Sequence, residues 1–272
     1  MIEALVAALF GLLIGSFLNV CIYRMPRDLS VVKPRSFCPE CNQTIAWFDN
    51  IPLVSYAMLA GRCRRCGHRI SPRYPVVELL TAVVFFAAFW FLGTKLAAAK
   101  FAVFGAIMIA LVFSDLEERI LPDEFTLGGT ALGVIFAAFV PVSGGILLLI
   151  FYGSKQQWLV SICDSVMAAA ICSGALWGVR AMYEKVRKRE GLGLGDVKMG
   201  AMIGAFLGIQ GALLTLLVGS LLGVVVGLGY TWFTGKDAST YELPFGSFLG
   251  VSALAVGFFS EVIFNWYNRL GA

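Results

Sequence analysis

What most constrains this chain is a series of eight apolar runs, at residues 2–23, 75–92, 96–115, 125–140, 160–179, 197–209, 212–233 and 248–266. Each is long enough, or nearly so, to cross a hydrocarbon layer about 30 Å thick. The runs are continuously apolar rather than alternating. That selects helices over a barrel, because a segment in lipid must satisfy its backbone hydrogen bonds. With 59% hydrophobic and 14% charged residues, a soluble domain and a disordered chain are both excluded. The expected fold is an all-α polytopic membrane protein of about eight transmembrane helices, with one small polar domain after the first.

Orientation follows from the cations. Of 21 Lys and Arg, 17 fall on one side of the eight-helix arrangement: nine from Arg24 to Arg73, Arg119, five from Arg180 to Arg189, Lys198 and Lys236. The other side holds Lys95, Lys100, Lys155 and Arg269. The positive-inside bias puts the 24–74 loop, Asp115, the Arg180 to Asp196 segment and the 234–247 segment in the cytoplasm, with both termini outside. No cleaved signal peptide is expected, because the first charge is the acidic Glu3 and the cations Arg24 and Arg27 follow the first run. The net charge of +4 is then accounted for by topology and attraction to anionic lipid, without a nucleic-acid partner. The organisation reads as a first transmembrane helix (1–23), a cytoplasmic tetracysteine domain (24–74) and a transmembrane core (75–272).

The polar domain carries two similar knuckles, Cys38-Pro-Glu-Cys41 and Cys63-Arg-Arg-Cys66, separated by 21 residues. Paired thiolates at this spacing suit tetrahedral zinc, and a domain this small needs a metal or an equivalent staple to fold. Two disulfides are the alternative, disfavoured by reducing thiol buffers on the cytoplasmic side. His68, the only histidine, reads as a surface residue, since four cysteines already complete the site. Cys21, Cys163 and Cys172 lie in apolar runs, where a free cysteine acts as a small hydrophobe.

The chemistry points to carboxylates at the cytoplasmic ends of helices. Asp123, just before Glu124 and Phe125, is explained by capping alone, and capping is an alternative for Asp196 too. Asp115 is different. A carboxylate closing a helix faces the negative end of the macrodipole and is expected to gain nothing structurally, so function is the better explanation there. Asp196 opens a short run and is followed by Gly200, Gly204 and Gly208 along one helical stripe. Small residues at that interval allow close helix approach in a membrane, so the stripe is expected to pack against the helix ending in Asp115. Two aspartates brought together in a water-reached cavity can share one proton. The ionised member takes a proton from water attacking a peptide carbonyl, and the protonated member donates to the oxyanion and then, after proton exchange, to the leaving amine. Lys198 either tunes this pair or snorkels at the interface.

Taken together, Gly15-Ser-Phe-Leu-Asn-Val-Cys-Ile-Tyr-Arg24, the knuckles with Trp47-Phe-Asp-Asn-Ile-Pro52 and Tyr74-Pro-Val-Val-Glu78, the Asp115 segment, Gly193-Leu-Gly195-Asp196 and Pro244-Phe-Gly246 resemble the type IV prepilin peptidases over nearly the whole chain. The resemblance implies a multi-pass enzyme of the bacterial inner membrane, a G-x-G-D aspartyl protease with its active site facing the cytoplasm. Such an enzyme removes a short basic leader from prepilins or pseudopilins, serving type IV pili or type II secretion. It implies a catalytic pair at Asp115 and Asp196, a structural zinc at Cys38, Cys41, Cys63 and Cys66, and methylation of the new N-terminal amine with S-adenosylmethionine as donor. Many relatives have a Pro after the last motif, where this chain has Gly246-Ser247-Phe248. No glycine-rich strand-to-helix turn is present to cradle an adenosyl group, so residues binding the donor are not assigned and its site is not of the Rossmann kind. A proton-coupled transporter using the aspartates as a relay is the alternative function. It expects acids near the bilayer midplane and discontinuous helices in both halves. A zinc-stapled scaffold without catalysis is the third, and it leaves Asp115 unexplained.

Overall fold

The structure, a computed structural model, is described for residues 1–142, 145–151, 156–189, 191–234 and 244–270, with backbone only at 148–149, 231, 233–234 and 260–270. Lys155, Lys236 and most of the 234–247 segment lie outside the described residues, as does the side chain of Arg269. Helices run in the order α1 (Ile2–Arg24), α2 (Val54–Met58), α3 (Arg73–Leu92), α4 (Leu96–Glu118), α5 (Asp123–Ala137), α6 (Ile146–Ile150), α7 (Gln157–Arg187), α8 (Leu194–Thr234) and α9 (Phe245–Leu270). Among the described residues there is no strand, and two isolated bridges, Phe37 to Thr44 and Arg62 to Arg69, are the sole β pairing. Seven of the eight apolar runs fall wholly within helices, and the fourth, 125–140, overruns the end of α5 by three residues. Five helices are long and apolar enough to span a membrane, namely α1, α3, α4, α7 and α8. Fewer than eight meet that criterion because α5 is short, the apolar part of α9 described with side chains is short, and the sixth and seventh runs share α8.

The chain divides into two compact units, Met1–Ala110 and Leu111–Ala272. In the first, α1 and α3 pack antiparallel through small residues. A Cβ on Gly11 would stand 2.8 Å from the Cα of Ala82, and one on Gly15 would stand 2.7 Å from the Cα of Glu78. One turn further on, the Asn19 side-chain amide donates to the Tyr74 carbonyl (3.0 Å). Each four-residue step along α1 thus matches a four-residue step back along α3. Lipid tails are as apolar as leucine, so backbone approach at glycine supplies the association that water would drive elsewhere.

In the second unit, α8 is broken at Gly208, whose φ of 72° and ψ of −179° are not helical. The break reverses the chain. Leu121 lies against both Gly195 and Gly246, so α8 and α9 start at the same end. Gly219 and Gly223 lie against Leu249 and Phe248, within the first turns of α9. From Asp196 to Gly208 the helix advances about 18 Å, and from Gly208 to Gly219 about 17 Å, so Gly219 reaches the start of α9 only if the second segment returns. The sixth and seventh runs are therefore two arms joined at Gly208, a position left-handed in φ, which glycine adopts without steric cost.

The stripe of Gly200 and Gly204 does not face the helix ending in Asp115, as expected from spacing, but packs on α7. A Cβ on Gly200 would stand 2.5 Å from Leu176, and one on Gly204 2.6 Å from the carbonyl oxygen of Ala168. The reason is complementary smallness. Helix α7 buries Ser161, Ser165, Ala168, Ala169 and Cys172, so two small-residue faces meet, and the Ser165 hydroxyl donates to the Ala205 carbonyl (2.9 Å).

Gly204→Ala should therefore destabilise the purified protein by about 1–3 kcal/mol, since the clash is with backbone that cannot rotate away. Gly174→Ala, with open space around its Cβ, should leave the melting temperature unchanged or raise it. Parallel thermal melts in one detergent check the pair, and equal effects would contradict the packing.

Candidate active site

Helix α4 ends where Arg119 turns left-handed (φ 55°), with its N–H donating to the Asp115 carbonyl (3.0 Å) and the Ser114 hydroxyl donating to that of Ile120 (2.9 Å). Asp115 thus occupies the last turn, as the sequence indicates, and is 5% exposed. The expectation that it gains nothing structurally is overturned. Its Oδ2 accepts the Ser247 N–H (2.6 Å) and hydroxyl (2.7 Å), and the same hydroxyl lies 3.2 Å from the Val112 carbonyl. Ser247 stands in the first turn of α9, so the carboxylate closing one helix rests on the positive end of another.

Asp196 lies in the first turn of α8, and its Oδ2 accepts the Gly193 N–H (3.1 Å). That is the return half of a capping box, in which the third helical residue reaches back to the residue preceding the helix. Capping at Asp196 is thus observed, and the residue is 9% exposed. Gly195 is required next to it, because a Cβ there would stand 2.9 Å from Leu121.

Asp115 and Asp196 line one cavity of about 330 Å³, together with Leu121, Asp123, Gly193 and Lys198. Asp123 does not act as the side-chain cap the sequence suggests. Pro122 takes the capping position of α5 without a side-chain bond, and Asp123 instead pairs with Lys198 at 2.6 and 2.7 Å. Lys198 accordingly balances a rim acid.

The 24–74 domain forms its knuckles by one repeated scheme. The Cys38 N–H donates to the Gln43 carbonyl and the Asn42 N–H to that of Cys38. The Cys63 N–H donates to the His68 carbonyl and the Gly67 N–H to that of Cys63. Asn42 and Gly67 hold matching left-handed φ values of 54° and 71°. The four sulfurs lie within 4.8 Å of one another, Cys38 and Cys66 at 3.9 Å. Tetrahedral zinc with bonds of about 2.3 Å separates its sulfurs by about 3.8 Å, so the cluster fits a metal ion. The backbone N–H groups of Cys66 and Arg65 bring the Cys63 thiol down to about 7. The His68 N–H favours the Cys66 thiolate too, but lost solvation and the neighbouring sulfurs outweigh it and push Cys66 up to about 12. All seven cysteines are free, so the two-disulfide alternative is not adopted. His68 is exposed, 3.9 Å from Glu40. Cys21 and Cys172 are buried, whereas Cys163 is exposed.

Two residues escaped sequence reasoning. Ser247 carries no motif signal, and its role follows only from the start of α9 meeting the end of α4. Asp164, buried in α7, accepts the Leu147 N–H (2.8 Å) near the start of α6. An acid in the middle of an apolar run was the available signal for Asp164.

Residues 9–92 match the bacterial peptidase A24 N-terminal domain, and residues 102–228 match the type IV leader peptidase family. The chain is 35% identical to a prepilin leader peptidase/N-methyltransferase of Legionella pneumophila, covering 97% of this chain and 93% of that protein. A protein of the same name in Aeromonas hydrophila is 34% identical over 95% of this chain and 91% of its own length. One in Myxococcus xanthus is 38% identical over 85% of this chain and 64% of its own length. No solved structure matches significantly.

Proposed function

The chain belongs to the type IV leader peptidase family, and on that premise we propose a membrane aspartic endopeptidase that cleaves the basic leader from type IV prepilins or pseudopilins and methylates the new amino terminus. The observation that carries the peptidase reading is that two buried aspartates, each anchored by a backbone N–H at a helix start, line one cavity. The catalytic pair is Asp115 and Asp196, within a peptidase core of 75–272. The protein is multi-pass, and the proposal places it in the bacterial inner membrane with this cavity toward the cytoplasm, a placement supported by the asymmetry of Lys and Arg.

Two close carboxylates hold one proton between them, because two like charges repel in a site poor in water. The ionised member removes a proton from a water molecule as its oxygen bonds to the scissile carbonyl carbon. The protonated member gives its proton to the carbonyl oxygen, and a neutral tetrahedral diol results. The proton just gained then passes to the amide nitrogen, the C–N bond breaks as a diol hydroxyl returns its proton to the other carboxylate, and leader acid and mature amine leave with one proton again on the pair. Ser247 orients Asp115 through both donors on Oδ2, and Gly193 orients Asp196, so neither acid depends on the substrate for its position.

Cys38, Cys41, Cys63 and Cys66 are assigned to a structural zinc that staples the 24–74 domain, the region to which methyl transfer is ascribed. The methyl donor would be S-adenosylmethionine. The cavity lined by Arg35, Ser36, Ile45, Trp47 and Asn50 measures about 150 Å³, well below the roughly 300 Å³ or more that a ligand of that size occupies. It does not hold the donor by itself. The proton-coupled transporter is not favoured, since both acids stand at helix ends rather than mid-membrane.

Purified protein mixed with a prepilin should release the leader, with the product mass rising by one methyl group when the donor is added. Proton flux in vesicles without cleavage would support the transporter instead. Asp115→Asn and Asp196→Asn should each abolish cleavage while preserving expression and insertion. Asp123→Asn, which weakens an exposed ion pair worth about 1 kcal/mol or less, should retain most activity, and equal loss in all three would sink the assignment of roles. Ser247→Ala keeps the backbone donor and loses the hydroxyl. It should lower kcat on the order of tenfold with KM little changed, as expected for one charge-assisted hydrogen bond. Elemental analysis should find one zinc per chain, lost in the Cys38→Ser, Cys63→Ser double variant together with the fold of the domain. Absence of metal with absence of free thiols would favour disulfides.

A further inference from the structure

We propose that residues 47–58 form an interfacial anchor that seats the tetracysteine domain in the headgroup layer of an anionic bilayer. Within this one stretch Trp47 is 73% exposed and Met58 78%, and Phe48, Ile51 and Val54 are exposed as well. Large apolar side chains gathered on a polar domain mark a contact with something apolar.

The depth of the segment identifies the partner. The Leu53 N–H donates to Glu78 Oε2 (2.8 Å). Glu78 is the sixth residue of α3, about 8 Å inside its start. At that level α3 already exposes Val76, Leu79 and Leu80, the side chains that a membrane helix turns to lipid. Leu53 therefore lies beside the apolar part of α3, and its chain neighbours Ile51 and Val54, both exposed, stand close to the level that lipid covers. Aromatic rings stand one to two helical turns outside that level. Tyr23 near the end of α1 lies under Arg27 (4.3 Å to the ring centre), and Tyr74 at the start of α3 lies under Arg73 (4.5 Å). Tyrosine and tryptophan favour membrane–water boundaries, and Tyr23, Tyr74 and the exposed Trp47 are residues of that kind.

The segment is held in shape. The Ser55 hydroxyl accepts the Ile51 N–H (3.1 Å) and donates to the Phe48 carbonyl (2.8 Å). Arg64, between the second pair of cysteines, grips both oxygens of Asp49 (2.6 to 3.1 Å) and covers Phe48. The cysteine cluster thereby fixes the anchor. Charge selects the lipid. Between residues 24 and 74 there are nine Lys and Arg against three Asp and Glu, an excess that draws this face to anionic headgroups.

The full chain in vesicles containing phosphatidylglycerol with photoactivatable acyl chains tests the proposal. Peptides covering 47–58 should carry label, and more of it than in vesicles of phosphatidylcholine alone. With brominated acyl chains, the emission lost on Trp47→Phe substitution should be the part that bromine quenches in the wild-type protein. Label confined to α1, α3 and the other spanning helices, with Trp47 emission quenched by aqueous iodide, would overturn the proposal. So would shielding of Trp47 from iodide only when a prepilin peptide is added, which would make the segment a substrate contact. Equal labelling in the two lipids would overturn the assignment to anionic headgroups.

Discussion

Each acid in the candidate active site is held by a backbone N–H at the start of a helix, and the remainder of the second unit serves to bring those two starts together. Asp196 is held by the residue just before its own helix, so its position follows from local chain geometry. Asp115 is held by Ser247, 132 residues away. That contact exists only because α9 begins at the same end at which α4 stops. A buried carboxylate without donors would carry the full cost of desolvation. The helix start supplies donors that the helix itself leaves unpaired, so one contact satisfies both partners.

Bringing α9 to that end depends in turn on the reversal at Gly208. A continuous α8 would carry its second half far from Asp196, and Gly219 and Gly223 would not meet Phe248 and Leu249. The outgoing arm is fixed by α7, where Gly200 and Gly204 admit Leu176 and the backbone of Ala168. The glycine stripe therefore acts on the acids indirectly. It sets the seat of the helix that carries Asp196, while the meeting with Asp115 is made by Leu121, Gly195 and Gly246 around the cavity.

Local patterns were legible in the sequence where one segment determines its own structure. Seven of the eight apolar runs lie wholly in helices and the fourth overruns its helix by three residues, and the two knuckles form a four-sulfur cluster. Asp115 and Asp196 fall at the helix ends where the polarity of the sequence changes. Partners across the fold were not legible. Spacing shows that Gly200 and Gly204 share a face, but which helix they meet depends on where another small face lies, and α7 shows its own only as serines, alanines and a cysteine scattered through an apolar run. Asp123 reads as a cap because an acid before a helix usually is one. Lys198, which claims it, is 75 residues distant. Gly208 looks like the end of a glycine stripe, and its left-handed φ is invisible to a count of intervals.

The two knuckles show the complementary case, in which local chain geometry is complete and still insufficient. Each presents its sulfurs by the same pair of backbone bonds and the same left-handed residue, so nothing further is needed to shape either half. What joins the halves is charge. Backbone N–H groups make Cys63 easy to ionise, and each thiolate gathered beside it makes the last, Cys66, harder. A cation at the centre of the assembled cluster would relieve that repulsion, and a domain with few large buried side chains of its own would gain folding energy from such an ion. Because Arg64 sits inside the second knuckle and grips Asp49, the cluster is tied directly to the aromatic segment that follows the first knuckle.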